Sequence, residues 1–208
     1  MKKSRVEALT DAIVAIIMTI MVLDFRVPTT PHFYEIFDNV PELFAYIVSF
    51  IFIGVAWYNQ HFMFYLVKRI TKKIYWANNL WLFTMSLIPI VSAWVGKFMN
   101  DVGPQLFYLL FFTAWNLAYL FLAKVILNEM KHEGDQTGIK EITEMCSYRF
   151  LTSWGFPLLV IGTGIAILIF PFSGLVFSLI EIIINGIYTT PDGDKLEGPD
   201  GKKKKKQD

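Results

Sequence analysis

RVEALTDAIVAIIMTIMVLDFRV, running from Arg5 to Val27, is the stretch whose reading decides the fold. Its unbroken apolar run, Ala12 to Leu23, contains Thr19 and is bracketed by Asp11 and Asp24. That is shorter than the roughly 20 apolar residues a lipid-exposed span requires, so the helix is expected inside an assembly. At about 100° per residue, Leu9, Ile13, Ile16, Ile20, Leu23 and Val27 share one face and Asp11 points the opposite way. One side calls for an apolar seam. The other calls for neighbouring helices that can satisfy a carboxylate.

The rest of the chain supplies those helices. Of 208 residues, 54% are hydrophobic and 16% aromatic, which is the composition of a polytopic membrane protein. Nineteen Lys and Arg stand against 18 Asp and Glu, so the charge balance predicts no nucleic-acid partner. Cys146 is the single cysteine and has no intrachain disulfide partner. The first apolar run leads into Asp24, Phe25 and Arg26 rather than into a small-residue cleavage site, so no signal peptide is expected.

After a turn at VPTTPH (Val27 to His32), a second span is expected from about Leu43 to Leu66, started by Pro41 and Glu42. A third runs from Ile74 to about Val95 and a fourth from Gln105 to about Leu127. A charged connector, Asn128 to about Ser147, reads as a cytoplasmic loop with some helix. The fifth span is expected over Tyr148 to Ile169, and a short sixth over Leu175 to about Tyr188. Residues 1–190 thus form one six-helix domain, and the Lys-rich tail 191–208 is expected to be disordered. With the N-terminus inside, 17 basic residues fall on the inner side and only Arg26 and Lys97 on the outer side. The positive-inside rule therefore places both termini in the cytoplasm.

No HExxH, CxxC, GxSxG or Gly-rich phosphate loop is present, so the sequence offers no catalytic set, no cofactor site and no metal site. The polar residues inside the spans are Asp11, His61, Asn78, Asn79, Asn116, Glu181 and Asn185. Glu181 and Asn185 lie one turn apart and fit an interhelical contact, as does Asn116. Trp57 and His61 lie at i and i+4, Asn78 starts the third span at the same level, and Arg5 and Asp11 sit at the corresponding end of the first. These five can form a proton relay or a structural network, the latter being the commoner fate of buried charges.

At this cluster the sequence resembles a known family. Arg5-Val6-Glu7-Ala8-Leu9-Thr10-Asp11 is similar to the RxxxFSD signature that opens the first helix of the transmembrane protein 175 family of potassium channels, with Leu9 in place of Phe and Thr10 in place of Ser. Trp57, His61, Asn78 and Pro89 resemble the family's second block. The resemblance implies a homotetramer of six-helix subunits around a pore lined by the first helix. It puts the constriction at Ile16, with further apolar layers at Ile20 and Leu23, and potassium preference at Thr19. It also adds Thr10 to the network of Arg5, Asp11, Trp57, His61 and Asn78.

A ring of isoleucines facing an axis can gate by dewetting, and Asp24 would set carboxylates at the external mouth to concentrate cations. The expected function is passive potassium permeation in preference to sodium, in the plasma membrane. The expected partners are further copies of the chain, monovalent cations and the bilayer. Two other fates remain for the same residues. An Ile/Leu seam is also how a closed bundle packs, and His61 with Glu181 could serve a secondary transporter or proton-coupled carrier, although no internal repeat between residues 1–100 and 101–188 supports that.

Overall fold

A computed structural model describes residues 2–24, 31–32 and 40–187. Those residues are all-helical or in short connections. Helix α1 spans Lys3–Ile20 and tightens into a 3-10 turn, Met21–Asp24. Helix α2 spans Val40–Leu66, with Pro41 in its first turn, where a missing N–H breaks no helical bond. Helix α3, Lys72–Met85, begins at Thr71, whose side chain accepts from the Ile74 N–H. The chain breaks at Ser86–Leu87 and restarts as α4, Ile88–Lys97. Pro89 explains the restart, because it has no N–H to give to the turn before it.

Helix α5, Val102–Glu133, is 32 residues long, about 48 Å at 1.5 Å per residue, against a hydrocarbon layer of about 30 Å. It therefore continues six residues, Asn128 to Glu133, into the stretch expected as a loop with some helix. Gly134, at φ 72°, ends it by returning its N–H to the last carbonyls. Asp135 then caps α6, Gln136–Glu144, by accepting from the Gly138 N–H at 3.0 Å.

The expected fifth span is not one helix. It is α7, Cys146–Thr152, and α8, Gly155–Ile169, bent by 69°. Ser153 turns the chain, its hydroxyl donating to the Phe150 carbonyl and accepting from the Gly155 N–H. Helix α9, Ser173–Ile182, runs into a π-helical turn, Ile183–Ile187. Among the described residues, four helical segments are long and apolar enough to cross a membrane: Lys3–Leu23, Val40–Leu66, Lys72–Lys97 and Val102–Glu133. The bent pair makes a fifth if it acts as one span, and Ser173–Gly186 is apolar but shorter. The expected tail, Arg26 and Val27 lie outside the described residues.

Helix α5 is the hub. It packs against α3, α4, α8 and α9, and its Tyr108, Phe112 and Trp115 join Phe52 of α2 and Trp81 of α3 in a buried aromatic cluster. Helices α2 and α4 lie so close that a Cβ on Gly96 would stand 2.8 Å from the Glu42 Cα. Helix α1 sits at the margin, touching α2, α3 and α4.

Candidate functional site

Only one side of α1 is covered. Val6, Thr10, Val14, Ile17 and Met21 are buried against the subunit, whereas Leu9, Ile16, Ile20 and Leu23 lie on a face left exposed among the described residues. Ile16 is 56% exposed, Ile20 46% and Leu23 77%. Ile13, read from spacing as part of the seam, is half-buried against the core. The uncovered face is wider than the predicted stripe. It also takes in Ala8, Ala12, Ala15 and Thr19, because α1 leans its Val6–Met21 edge on the bundle and leaves about half its circumference free. Exposed apolar side chains on a membrane helix meet either lipid or a second protein surface, and the short run bracketed by Asp11 and Asp24 favours protein over lipid.

Thr19 is the polar group in the middle of this face. Its hydroxyl turns back to its own helix, 2.9 Å from the Ala15 carbonyl and 3.0 Å from that of Ile16. The proton is thus spent internally while the oxygen's remaining lone-pair capacity faces outward. Asp24 closes the 3-10 turn beyond Leu23; its carboxylate lies outside the described side chains.

The base of α1 is tied to two neighbours. Trp57 of α2 donates its indole N–H to Asp11 Oδ1 at 2.8 Å, and His61 stacks on Trp57 with ring centroids 5.5 Å apart. One residue away, Thr10 accepts from Asn78 Nδ2 of α3 at 2.9 Å, and Asn78 Oδ1 accepts from Gln60 Nε2 at 3.1 Å. Thr10, Asn78 and Gln60 are buried, so each bond satisfies a group that water does not reach. These contacts bring together Thr10, Asp11, Trp57, His61 and Asn78. Arg5 stands apart: its side chain is exposed on the uncovered face and makes no hydrogen bond or ion pair with the described residues. Six residues separate it from Asp11, about 9 Å of helix rise.

Two partners escaped the sequence reading. Gln60, beside His61, carried a signal, since an amide inside an apolar run needs a partner. Lys3 carried none that was local. Its Nζ donates to the carbonyls of Tyr65 and Val67 at 3.1 and 2.9 Å, capping the C-terminal end of α2 from the start of α1. At the same end Lys68, Arg69 and Lys73 pair with Asp135, Glu133 and Glu129, which pins the α2–α3 junction to the emergent end of α5.

Glu181 is elsewhere, fully buried on α9, and both its carboxylate oxygens accept from Asn116 Nδ2 of α5, at 3.1 and 3.0 Å. No hydrogen bond links it to His61 among the described residues.

A multi-pass helical bundle with one amphipathic helix anchored at its base and uncovered along its length has the architecture of a membrane ion channel subunit. Residues 5–89 match the family model described as the endosomal/lysosomal potassium channel TMEM175. A potassium channel of Chryseobacterium sp. (strain P1-3) is 36% identical over 172 residues, covering 78% of this chain and 88% of that one. The chain belongs to this family, whose members are ion channels and not enzymes. An endosomal/lysosomal proton channel TMEM175 of Danio rerio is 26% identical over 204 residues, 88% of this chain but 38% of that one. The crystal structure of a lysosomal potassium-selective channel TMEM175 homolog from Chamaesiphon minutus superposes with a TM-score of 0.66, covering 89% of this chain and 96% of that one at 23% identity. This last likeness concerns the fold.

Proposed function

We propose that four copies of the chain assemble around an axis with α1 innermost and conduct potassium passively in preference to sodium. Ile16, Ile20 and Leu23 form successive apolar constriction layers, and Thr19 supplies the oxygen that favours potassium. The six helical segments cross the plasma membrane with both termini in the cytoplasm, and no cofactor takes part. The observation that carries this reading is the uncovered half of α1, opposite a base held by Trp57 and Asn78. Four such faces brought together bury the exposed isoleucines and leave a narrow apolar path, in which an ion gives up hydration unless the helices widen or turn. The name potassium channel borne by the Chryseobacterium relative supports the choice of ion.

The test is flux through purified protein in vesicles under potassium or sodium gradients. Downhill potassium flux that exceeds sodium flux, with no proton gradient imposed, is the expected result. Flux that appears only when a proton gradient is imposed would instead favour a proton-coupled carrier built on Glu181.

A further inference from the structure

A second polar feature lies inside the subunit, away from α1. Between α2, α3, α5, α7 and the π-helical turn is a cavity of about 30 Å³, walled in part by Trp81, Trp115, Asn116, Asn59 and Asn185. Three of its wall residues carry buried polar atoms without a protein partner: Trp81 Nε1, Trp115 Nε1 and Asn185 Oδ1. Trp81 is 0% exposed, Trp115 1% and Asn185 7%. Asn185 reaches this wall from the middle of the π-helical turn Ile183–Ile187, a wide turn of the kind that recurs at functional positions in helices.

We infer that this cavity is a water-binding site, in which ordered water links the indole N–H groups of Trp81 and Trp115 to the Asn185 carbonyl oxygen. The chemistry of the wall selects the occupant. Indole nitrogens only donate, so they oppose a metal cation; an orphan amide oxygen only accepts, so it opposes an anion. Water both accepts and donates. At about 10–15 Å³ per water the volume holds about two, and three orphan atoms give them the polar partners that a buried water needs. Asn116, on the same wall, gives its amide to Glu181, so the water sits one side chain from the one wholly buried acidic residue among the described residues. The water joins the last helical segment to α3 and α5, where it replaces the hydrogen bonds that a dry contact would forfeit.

The experiment is a cryo-electron microscopy map of the whole protein that resolves ordered water, paired with a double-mutant cycle. Peaks within about 2.7–3.2 Å of at least one indole nitrogen and of Asn185 Oδ1 are expected. A cavity with no peak, or a peak ringed by oxygen atoms alone, overturns the site. In the cycle, Trp115→Phe and Asn185→Leu should each lower the thermal midpoint, and the double variant should fall no further than the worse single one, because both remove the same water. Additive losses would mean that the two side chains share no ligand. If Asn185→Leu does not fold, the map of the unaltered chain still decides.

Discussion

Trp57 holds Asp11 from the adjacent helix, indole Nε1 to carboxylate Oδ1, at 2.8 Å. The bond fixes the rotation of α1 about its own axis, because Asp11 lies on the edge between its buried and uncovered faces. Trp57→Phe keeps most of the ring and its stack on His61 but removes the donor. Since Asp11 is exposed within the subunit, the loss should be about 0.5–1.5 kcal/mol, read as a lower thermal midpoint. Asp11→Asn keeps an acceptor oxygen and should cost less than Asp11→Leu. Equal losses for those two variants would show that the Asp11 oxygen is not what Trp57 holds.

The neighbouring link is buried and should matter more. Asn78 accepts from Gln60 and donates to Thr10, so Asn78→Leu strands two polar side chains that water does not reach. About 1–3 kcal/mol of stability should go, together with the yield of assembled protein in native mass measurement. Thr10→Val, which removes only one end of the chain of bonds, should do less. A milder effect from Asn78→Leu than from Thr10→Val would contradict this ordering.

Arg5 gives the opposite pattern. Exposed on the uncovered face and unpaired with the described residues, it has no contact among them to lose. Arg5→Ala should leave the thermal midpoint of the dissociated subunit unchanged, and any defect should appear in oligomer yield. A subunit that melts earlier would place Arg5 in a contact within its own chain.

These contrasts show what was legible in the sequence. The amphipathic period of α1 exposed its faces, and the spacing of Trp57, His61 and Asn78 located its base, because helical geometry converts residue number into direction. That Arg5 makes none of the network's contacts among the described residues was not legible: periodicity says which residues share a level, not which side chain reaches which. The break at Ser153–Trp154 was hidden because an apolar run reads alike whether straight or bent by 69°. The reach of α5 into the charged connector, as far as Glu133, was legible only as some helix within a loop, for a different reason. Polar helix projecting from a bundle carries loop-like composition, and its end is marked by Gly134 alone.

Ile16 is the apolar residue whose ring would be narrowest in the proposed assembly. Ile16→Asn keeps a side chain of similar reach while replacing a surface that repels water by one that binds it. Since dewetting is what closes such a path, cation flux in vesicles should rise, on the order of tenfold if about 1.4 kcal/mol of barrier is removed. Because Ile16 is exposed in the subunit, the fold should be unaffected. Unchanged flux would take Ile16 out of the constriction.

Thr19 separates selectivity from closure. Its hydroxyl proton is committed to the Ala15 and Ile16 carbonyls, which orients the oxygen and leaves it as an acceptor beside the path. A cation that sheds part of its water gains from such an oxygen, and potassium sheds water more readily than sodium. Thr19→Val has nearly the same shape and no oxygen, so preference for potassium should fall while the apolar layers persist. Thr19→Ser restores the oxygen and should restore the preference. The measurement is the reversal potential with potassium on one side and sodium on the other. A shift toward zero for Thr19→Val that Thr19→Ser reverses is the expected outcome, whereas a potential that neither substitution moves would assign potassium preference to another layer.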